Sequence, residues 1–274
     1  MKTDTVIIKP RNKWISIDFN ELWKYRELLY FLVWRDVKVR YKQTVIGAGW
    51  AIIQPFVTMI IFTIFFGNIA KIPSDGVPYP IFSYSGLLLW IYFSTSVSSS
   101  SNSVVGSSNL ITKVYFPRLI IPLTSSLAGM VDYCIAFIIL VLMMIYYGIT
   151  PGFSIIFLPI VLFLTFITAT GFGLWFSSLN VKYRDVRHAL PFFIQLLLFA
   201  TPVIYPLTFV PEKYRWLLSL NPMSGIIEVH RACILGNKSI DLNTLSISVS
   251  ISLLIFISGL FYFRRTERFF ADII

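Results

Sequence analysis

Residues 34–67 read WRDVKVRYKQTVIGAGWAIIQPFVTMIIFTIFFG. The first part holds Arg35, Lys38, Arg40 and Lys42 with a single acid, Asp36. The 23 residues 45–67 that follow contain no ionisable side chain. As a helix rising 1.5 Å per residue, such a run is about 34 Å long, enough to cross a hydrocarbon core of ~30 Å. A basic cluster abutting an apolar run of this length predicts a transmembrane helix whose charged flank stays on the inner side.

The rest of the chain repeats that pattern. Of 274 residues, 56% are hydrophobic and 13% charged, about half the ~25% usual in soluble domains. Aromatics reach 17%, and Phe alone numbers 25. So few charges could not cover a soluble globule of this composition, and two cysteines, Cys134 and Cys233, exclude a disulfide scaffold. Six runs of spanning length are expected, at about 45–67, 80–98, 119–147, 153–179, 189–205 and 242–263. The fifth is short and carries Pro191 and Pro202. No polar/apolar alternation of the outer-membrane barrel type recurs. The predicted fold is therefore an all-α polytopic membrane protein with six transmembrane helices, preceded by a tail over 1–44, with the membrane domain over 45–274.

An even number of spans puts both termini on one side. Eighteen of the 23 Lys/Arg fall on the side of the termini and five on the other, which places both termini in the cytoplasm. The net charge of +10 is thus mainly an orientation signal, and no nucleic-acid partner is expected. Met1 to Lys13 is charged and lacks the apolar core of a cleaved signal peptide.

The stretches between the runs are not plain loops. In the tail, Asp18 or Asn20 can cap a helix starting near Glu21, with Leu22, Tyr25, Leu29 and Leu32 on one face. An amphipathic helix lying in the membrane interface follows. The cluster Arg35, Lys38, Arg40 and Lys42 reads either as a surface anchor or as a grip on an anionic head group such as a pyrophosphate. Between the second and third spans, the serine-rich residues 98–108 lead into Asn109-Leu110-Ile111-Thr112-Lys113-Val114-Tyr115-Phe116-Pro117-Arg118. Asn109 is expected to cap a short helix with Leu110, Tyr115 and Phe116 exposed, lying on lipid or plugging into a soluble partner. Beyond the fifth span, Pro211 and Asn221-Pro222 mark two helix starts and Gly236-Asn237 a stop. Two short helices over about 207–240 are expected to dip into the outer leaflet as a re-entrant hairpin.

Catalytic signatures are scarce. No G-x-x-x-x-G-K-[ST] occurs, so ATP is not held by a P-loop in this sequence. His188 and His230 fall on opposite sides of the membrane in this topology and cannot share a metal. Asp132 is the one ionisable residue within the six runs. A proton-relay role competes with hydrogen bonding to hydroxyls or amides of a neighbouring span, because no intramembrane Lys, Arg or His is evident. The spans are rich in aromatics, among them Phe56, Tyr84, Trp90, Phe93 and Phe199, most of them packing or lipid-facing. Any that line a passage would suit sugar rings.

Several blocks carry a resemblance. They are residues 35–44 with Gly47 and Trp50; Asn109-Leu110-Ile111 with Lys113 and Phe116-Pro117-Arg118; Asn180 with Arg184-Asp185-Val186; Thr201-Pro202-Val203-Ile204-Tyr205; and Leu220-Asn221-Pro222-Met223. In this order and frame the sequence resembles the permease subunit of ABC-2-type polysaccharide exporters, the group that moves lipid-linked O-antigen or teichoic acid. The resemblance implies a homodimer in the bacterial cytoplasmic membrane, working with two copies of a separate ATPase subunit that holds ATP and Mg. It implies that 109–118 is the coupling helix seated in the ATPase, with Asn109, Leu110, Lys113, Tyr115, Phe116, Pro117 and Arg118 as contact residues. The N-terminal helix would pack at the same interface, and 207–240 would form outer gate helices. Spans one, two and five would line a channel, with Phe56, Tyr84, Trp90, Phe93 and Phe199 as its aromatics. The substrate would be a polyprenyl-pyrophosphate-linked polysaccharide, its pyrophosphate held by Arg35, Lys38, Arg40 and Lys42. An exporter of a small lipid or drug with the same fold, and a proton-coupled secondary transporter, are the rival readings.

Overall fold

The structure is a computed structural model, which describes residues 19–42, 47–236 and 241–270. Asp18, Val45 at the expected start of the first span, and Asn237 lie outside these. The described residues form helices joined by short turns, without a strand among them.

Among the described residues, five helical segments are long and apolar enough to cross a membrane: Gly49–Ile69, Tyr79–Gly106, Ile120–Tyr147, Phe153–Lys182 and Leu242–Phe269. We number the helices α1 (Phe19–Lys24), α2 (Arg26–Lys42), α3 (Gly49–Phe62), α4 (Tyr79–Gly106), α5 (Ser108–Lys113), α6 (Ile120–Tyr147), α7 (Leu158–Lys182), α8 (Val186–Phe199), α9 (Glu212–Ser219), α10 (Pro222–Leu235) and α11 (Leu242–Thr266). α3 runs on into a π-helical stretch, Thr63–Ile69.

The expected fifth span is shorter than its apolar run. α8 has 14 residues, about 21 Å of helix, and ends at Phe199 instead of continuing to Tyr205. Pro202 lacks an N–H, and Thr201 before it disfavours helical ψ, so the chain leaves the helix there.

α4 is the hub of the bundle. Most of its residues are buried, against α6 on one side and α7 on the other. The serine-rich residues 98–106, expected as the start of a loop, are its last turns. Their side chains bond back to the helix or across to neighbours. Asn102 donates to the Ser98 carbonyl and Ser103 to that of Ser100; Ser100 donates to the Pro122 carbonyl at 2.9 Å and pairs with Ser126 at 3.1 Å. Small residues at these crossings bring backbones close. A Cβ on Gly173 would lie 2.6 Å from that of Ser100, and one on Gly259 of α11 would lie 2.7 Å from the Gly171 carbonyl oxygen of α7.

The two ends of the bundle differ. At one end a second apolar cluster joins Val104, Ile111, Phe116, Leu119, Val181, Phe263 and Phe270. Lys113, Lys182, Arg264 and Arg265 lie in the last turns of the helices that converge there, and we call it the basic end. The expected apolar stripe of the N-terminal helix, Leu22, Tyr25, Leu29 and Leu32, joined by Leu28, packs onto this cluster. Its outward side carries Trp23, Tyr30, Phe31 and Trp34, all exposed. Helix α2 is thus apolar on two sides: one seats it on the protein, and the other has the aromatic character of a membrane-interface belt.

Candidate functional sites

The basic cluster before the first span is helical, and the helix divides it. At about 100° per residue, Arg35, Lys38 and Lys42 share one face of α2, and Arg40 is turned some 140° from Arg35. Lys38 and Lys42 are exposed. Arg35 pairs with Asp36, donating from both Nε at 3.1 Å and Nη2 at 2.8 Å to the single oxygen Oδ1. Arg40 reaches α6 and pairs with Asp132. The four cations therefore do not converge on one point, and two of them are compensated by carboxylates.

Asp132 differs from the sequence expectation. Its partners are Arg40, bonded to Oδ2, and the hydroxyl of Tyr41, bonded to Oδ1. Both come from the segment before the first span, not from hydroxyls or amides of a neighbouring span. An acid ninety residues away on another helix gives no local signal in the sequence. Burial, reinforced by the bond to the Asp132 carboxylate, pushes the Tyr41 hydroxyl above its ordinary pKa, so it remains a proton donor.

Two cavities meet at this pair. A groove of about 670 Å³ at the basic end lies between α2, the end of α4 and the start of α6. Arg35, Asp36 and Arg40 line it together with Ser99, Asn102 and Ser125. A second cavity of about 370 Å³ lies between α3, α4 and α6, lined by Trp50, Gln54, Tyr92 and Tyr133, with Arg40, Tyr41 and Asp132 in its wall. Arg40 and Ser99 line both. Both volumes fall in the range of small-molecule sites.

The segment 109–118 is shorter and more anchored than expected. α5 is capped at Ser107, not Asn109, and the Leu110 and Ile111 amides bond the Ser107 carbonyl. Phe116 and Pro117 are buried, Phe116 in the apolar cluster of the basic end. Arg118 donates to the Glu267 carbonyl, and Leu110 is half-buried. Asn109, Lys113, Val114 and Tyr115 remain exposed, Tyr115 at 70%. The Tyr115 hydroxyl donates to Glu21 of α1 at 3.2 Å, tying α5 to the N-terminal helix. Of Leu110, Tyr115 and Phe116, all expected exposed, only Tyr115 is; tertiary packing buries Phe116, because the chain must turn into α6 there.

At the other end, the two short helices after α8 are present as α9 and α10. Pro211 caps α9, and the Asn221 side chain caps α10 by accepting from the Met223 amide at 3.1 Å. Gly236 takes the left-handed conformation, φ +63°, that ends α10. All residues of α10 are buried except Glu228, which is half-buried, so protein surrounds this helix. Arg231 of α10 is buried. It donates to the Pro202 and Val203 carbonyls, each at 2.6 Å, and stacks over the Phe82 ring at 3.7 Å. His230 shares a hydrogen bond of 2.8 Å with Tyr133. The Tyr79 hydroxyl donates to the Ile204 carbonyl at 2.8 Å, and Asn221 donates to Thr201 Oγ1 at 2.7 Å. The turn at 201–205 is thus gripped by α4 and α10. Asn180, from a further block, is buried and donates to the Ser101 carbonyl at 3.0 Å, fixing α7 to α4.

The five aromatics singled out for a passage separate. Tyr84, Trp90 and Phe93 are core residues of α4, with the Tyr84 hydroxyl bonded to the Ala136 carbonyl. Phe56 and Phe199 are exposed, on α3 and α8.

Residues 27–235 match the family model described as ABC-2 type transporter. The O-antigen export system permease protein RfbA of Myxococcus xanthus is 31% identical over 254 residues, covering 90% of this chain and 96% of that protein. A protein of the same name from Klebsiella pneumoniae is 27% identical over 249 residues, covering 90% of this chain and 95% of its own length. The polysialic acid transport protein KpsM of Escherichia coli is 26% identical over 247 residues, covering 85% and 91%.

Proposed function

This chain belongs to the ABC-2 type transporter family, and from that premise we propose that it is the membrane subunit of an exporter of cell-surface polysaccharide. The observation that carries the reading is the similarity to O-antigen permeases along nine-tenths of the chain. Two copies would form the pathway in the cytoplasmic membrane, with the basic end and both termini inward. Two copies of a separate ATPase subunit, holding ATP and Mg, would drive it.

The ATPase would dock where α1 and α5 meet. Lys113, Val114 and Tyr115, with Asn109 beside them, offer the exposed contacts; Leu110, Phe116, Pro117 and Arg118 transmit motion, since they bind the segment to α4, α6 and the C-terminal turn. A polyprenyl-pyrophosphate-linked glycan would arrive from the inner leaflet. The exposed stripe Arg35, Lys38 and Lys42 attracts its diphosphate, and Arg35 and Arg40 receive it in the groove they line. The polymer then slides past exposed aromatics, Phe56 and Phe199 among them. Stacking of ~0.5–1.5 kcal/mol per contact, if aromatic pairs are a guide, is weak enough to allow repeated release.

The test is depletion. Loss of this chain should leave lipid-linked glycan in the inner leaflet while its assembly continues, and the tagged chain should co-purify with a P-loop ATPase. Accumulation of a small lipid or drug instead would refute the polysaccharide reading, and transport by the purified chain alone would refute the ATP-driven one.

A further inference from the structure

We propose that Asp132 is an internal competitor for Arg40, which an incoming diphosphate must displace, so that loading of the groove removes one of the two side-chain links between the end of helix α2 and helix α6. The proposal deepens the head-group reading above and rests on it.

Four observations carry it. Arg40 lines the groove and the adjoining cavity, and in this structure its guanidinium is held by Asp132 on the cavity side. The pair is only half-buried, so a ligand in the groove can reach it. A diphosphate carries more charge than a carboxylate and offers several acceptor oxygens to a planar guanidinium, which favours exchange. Finally, Asp132 is not orphaned by the exchange, because the Tyr41 hydroxyl still donates to its other oxygen. The groove holds further donors for phosphate oxygens in Ser99, Asn102 and Ser125, and its other charged groups are the compensated pair Arg35 and Asp36.

The exchange has a mechanical consequence. Arg40–Asp132 and Tyr41–Asp132 are side-chain links from the end of α2 to α6. Losing the first leaves α2 held there by Tyr41 and by apolar contacts. The same helix packs on the cluster that contains Ile111 of α5 and Phe116. Occupancy of the groove would therefore be felt at the segment proposed to meet the ATPase.

The test uses the full chain in phosphatidylcholine nanodiscs and titrates inorganic pyrophosphate by calorimetry. Asp132→Asn removes the competing charge and keeps the shape; binding should tighten about two- to five-fold, as expected for loss of one partly exposed ion pair. Tyr41→Phe leaves Asp132 more dependent on Arg40, and binding should weaken. Arg40→Gln should lose most binding, alone or combined with Asp132→Asn. A merely structural role for the trio predicts that Asp132→Asn and Tyr41→Phe weaken binding alike, and that result, or no change in Asp132→Asn, overturns the proposal while leaving the head-group reading intact. Equal binding by the wild type and Arg40→Gln overturns both. Should Asp132→Asn fail to fold, Asp132→Ser takes its place, since it also removes the competing charge: binding no tighter than in the wild type overturns the exchange. Nanodiscs containing phosphatidylglycerol separate the sources of phosphate. Competition by that lipid supports exchange driven by membrane phosphate, and its absence supports exchange driven by the diphosphate of a carried lipid.

Discussion

The side-chain amide of Asn221 donates to Thr201 Oγ1 at 2.7 Å, joining the residue that starts α10 to the turn that ends α8. The same Asn221 accepts from the Met223 amide as the cap of α10. Asn221→Ala removes both interactions; Thr201→Val removes the first, together with the bond from Thr201 Oγ1 to the Leu197 carbonyl one turn back, 2.6 Å, a local back-bond of little net stability. The expected losses are about 2 kcal/mol for Asn221→Ala and about 1 kcal/mol for Thr201→Val. Thermal unfolding of the detergent-purified chain should rank them so, and the double variant should cost less than the two losses combined.

Arg231 holds the same turn from the other side. Replacing it by Met leaves the Pro202 and Val203 carbonyls without their donor, at about 1–3 kcal/mol each. Lys keeps the charge but cannot fork to two carbonyls, so Arg231→Lys should be nearly as damaging. Gly86 makes the space: a Cβ there would sit 2.5 Å from the Arg231 guanidinium. Gly86→Ala should lower the melting temperature in the same direction, and an unchanged melting temperature in both Arg231 variants would refute the clamp.

These contacts mark the limit of what the sequence discloses. Long apolar runs gave the positions of α3, α4, α6, α7 and α11, because a membrane demands length and apolarity that are visible residue by residue. Asn221-Pro222 and Gly236 gave the bounds of α10, because caps are local chemistry. The shortness of α8 was half visible in Pro202. What could not be read is pairing at a distance. Arg40 with Asp132 and Arg231 with Pro202 depend on which helices become neighbours, and helical phase does not reveal that. The same gap explains Phe116, expected outside and found buried, and Tyr84, Trp90 and Phe93, whose aromatic rings build the core of α4.

The crossing of α7 and α11 depends on glycine. A Cβ on Gly259 would lie 2.7 Å from the Gly171 carbonyl, and one on Gly171 would lie 2.8 Å from the Phe256 Cα. Both neighbours are backbone, so the helices must separate to admit a methyl group. Gly259→Ala and Gly171→Ala should each destabilise by about 1–3 kcal/mol, and should lengthen the Thr168–Ser252 hydrogen bond, now 2.8 Å. Gly106→Ala is the control, since a Cβ there meets nothing within 4 Å.

Asp241 caps α11 through the Asn243 amide and the Thr244 hydroxyl. The Thr244 hydrogen bond leads the causes that hold its pKa below the ordinary 3.8. A depressed folded-state pKa means that the unfolded chain takes up the proton first as pH falls. The cap therefore contributes fully above about pH 4 and is lost as pH drops through the folded value. Melting temperatures should fall more steeply below pH 4 in the wild type than in Asp241→Asn, which keeps a capping oxygen at all pH values. Parallel curves would show that the cap does not matter.

Phe116 and Tyr115 are adjacent but should fail differently. Phe116 is buried among Val104, Leu119, Phe263 and Phe270, so Phe116→Ala opens a cavity and should cost about 3–5 kcal/mol, seen as a lower melting temperature and poor yield. Tyr115 is exposed and its hydroxyl donates to Glu21 at 3.2 Å, so Tyr115→Ala should change stability by about 1 kcal/mol, far less than Phe116→Ala. If the surface shared by α1 and α5 meets the ATPase, Tyr115→Ala should instead reduce co-purification of that subunit or the stimulation of its ATP hydrolysis. Phe116→Leu, which retains most of the apolar volume, should restore folding. A stable Tyr115→Ala chain with wild-type ATPase association and hydrolysis would place the docking surface elsewhere.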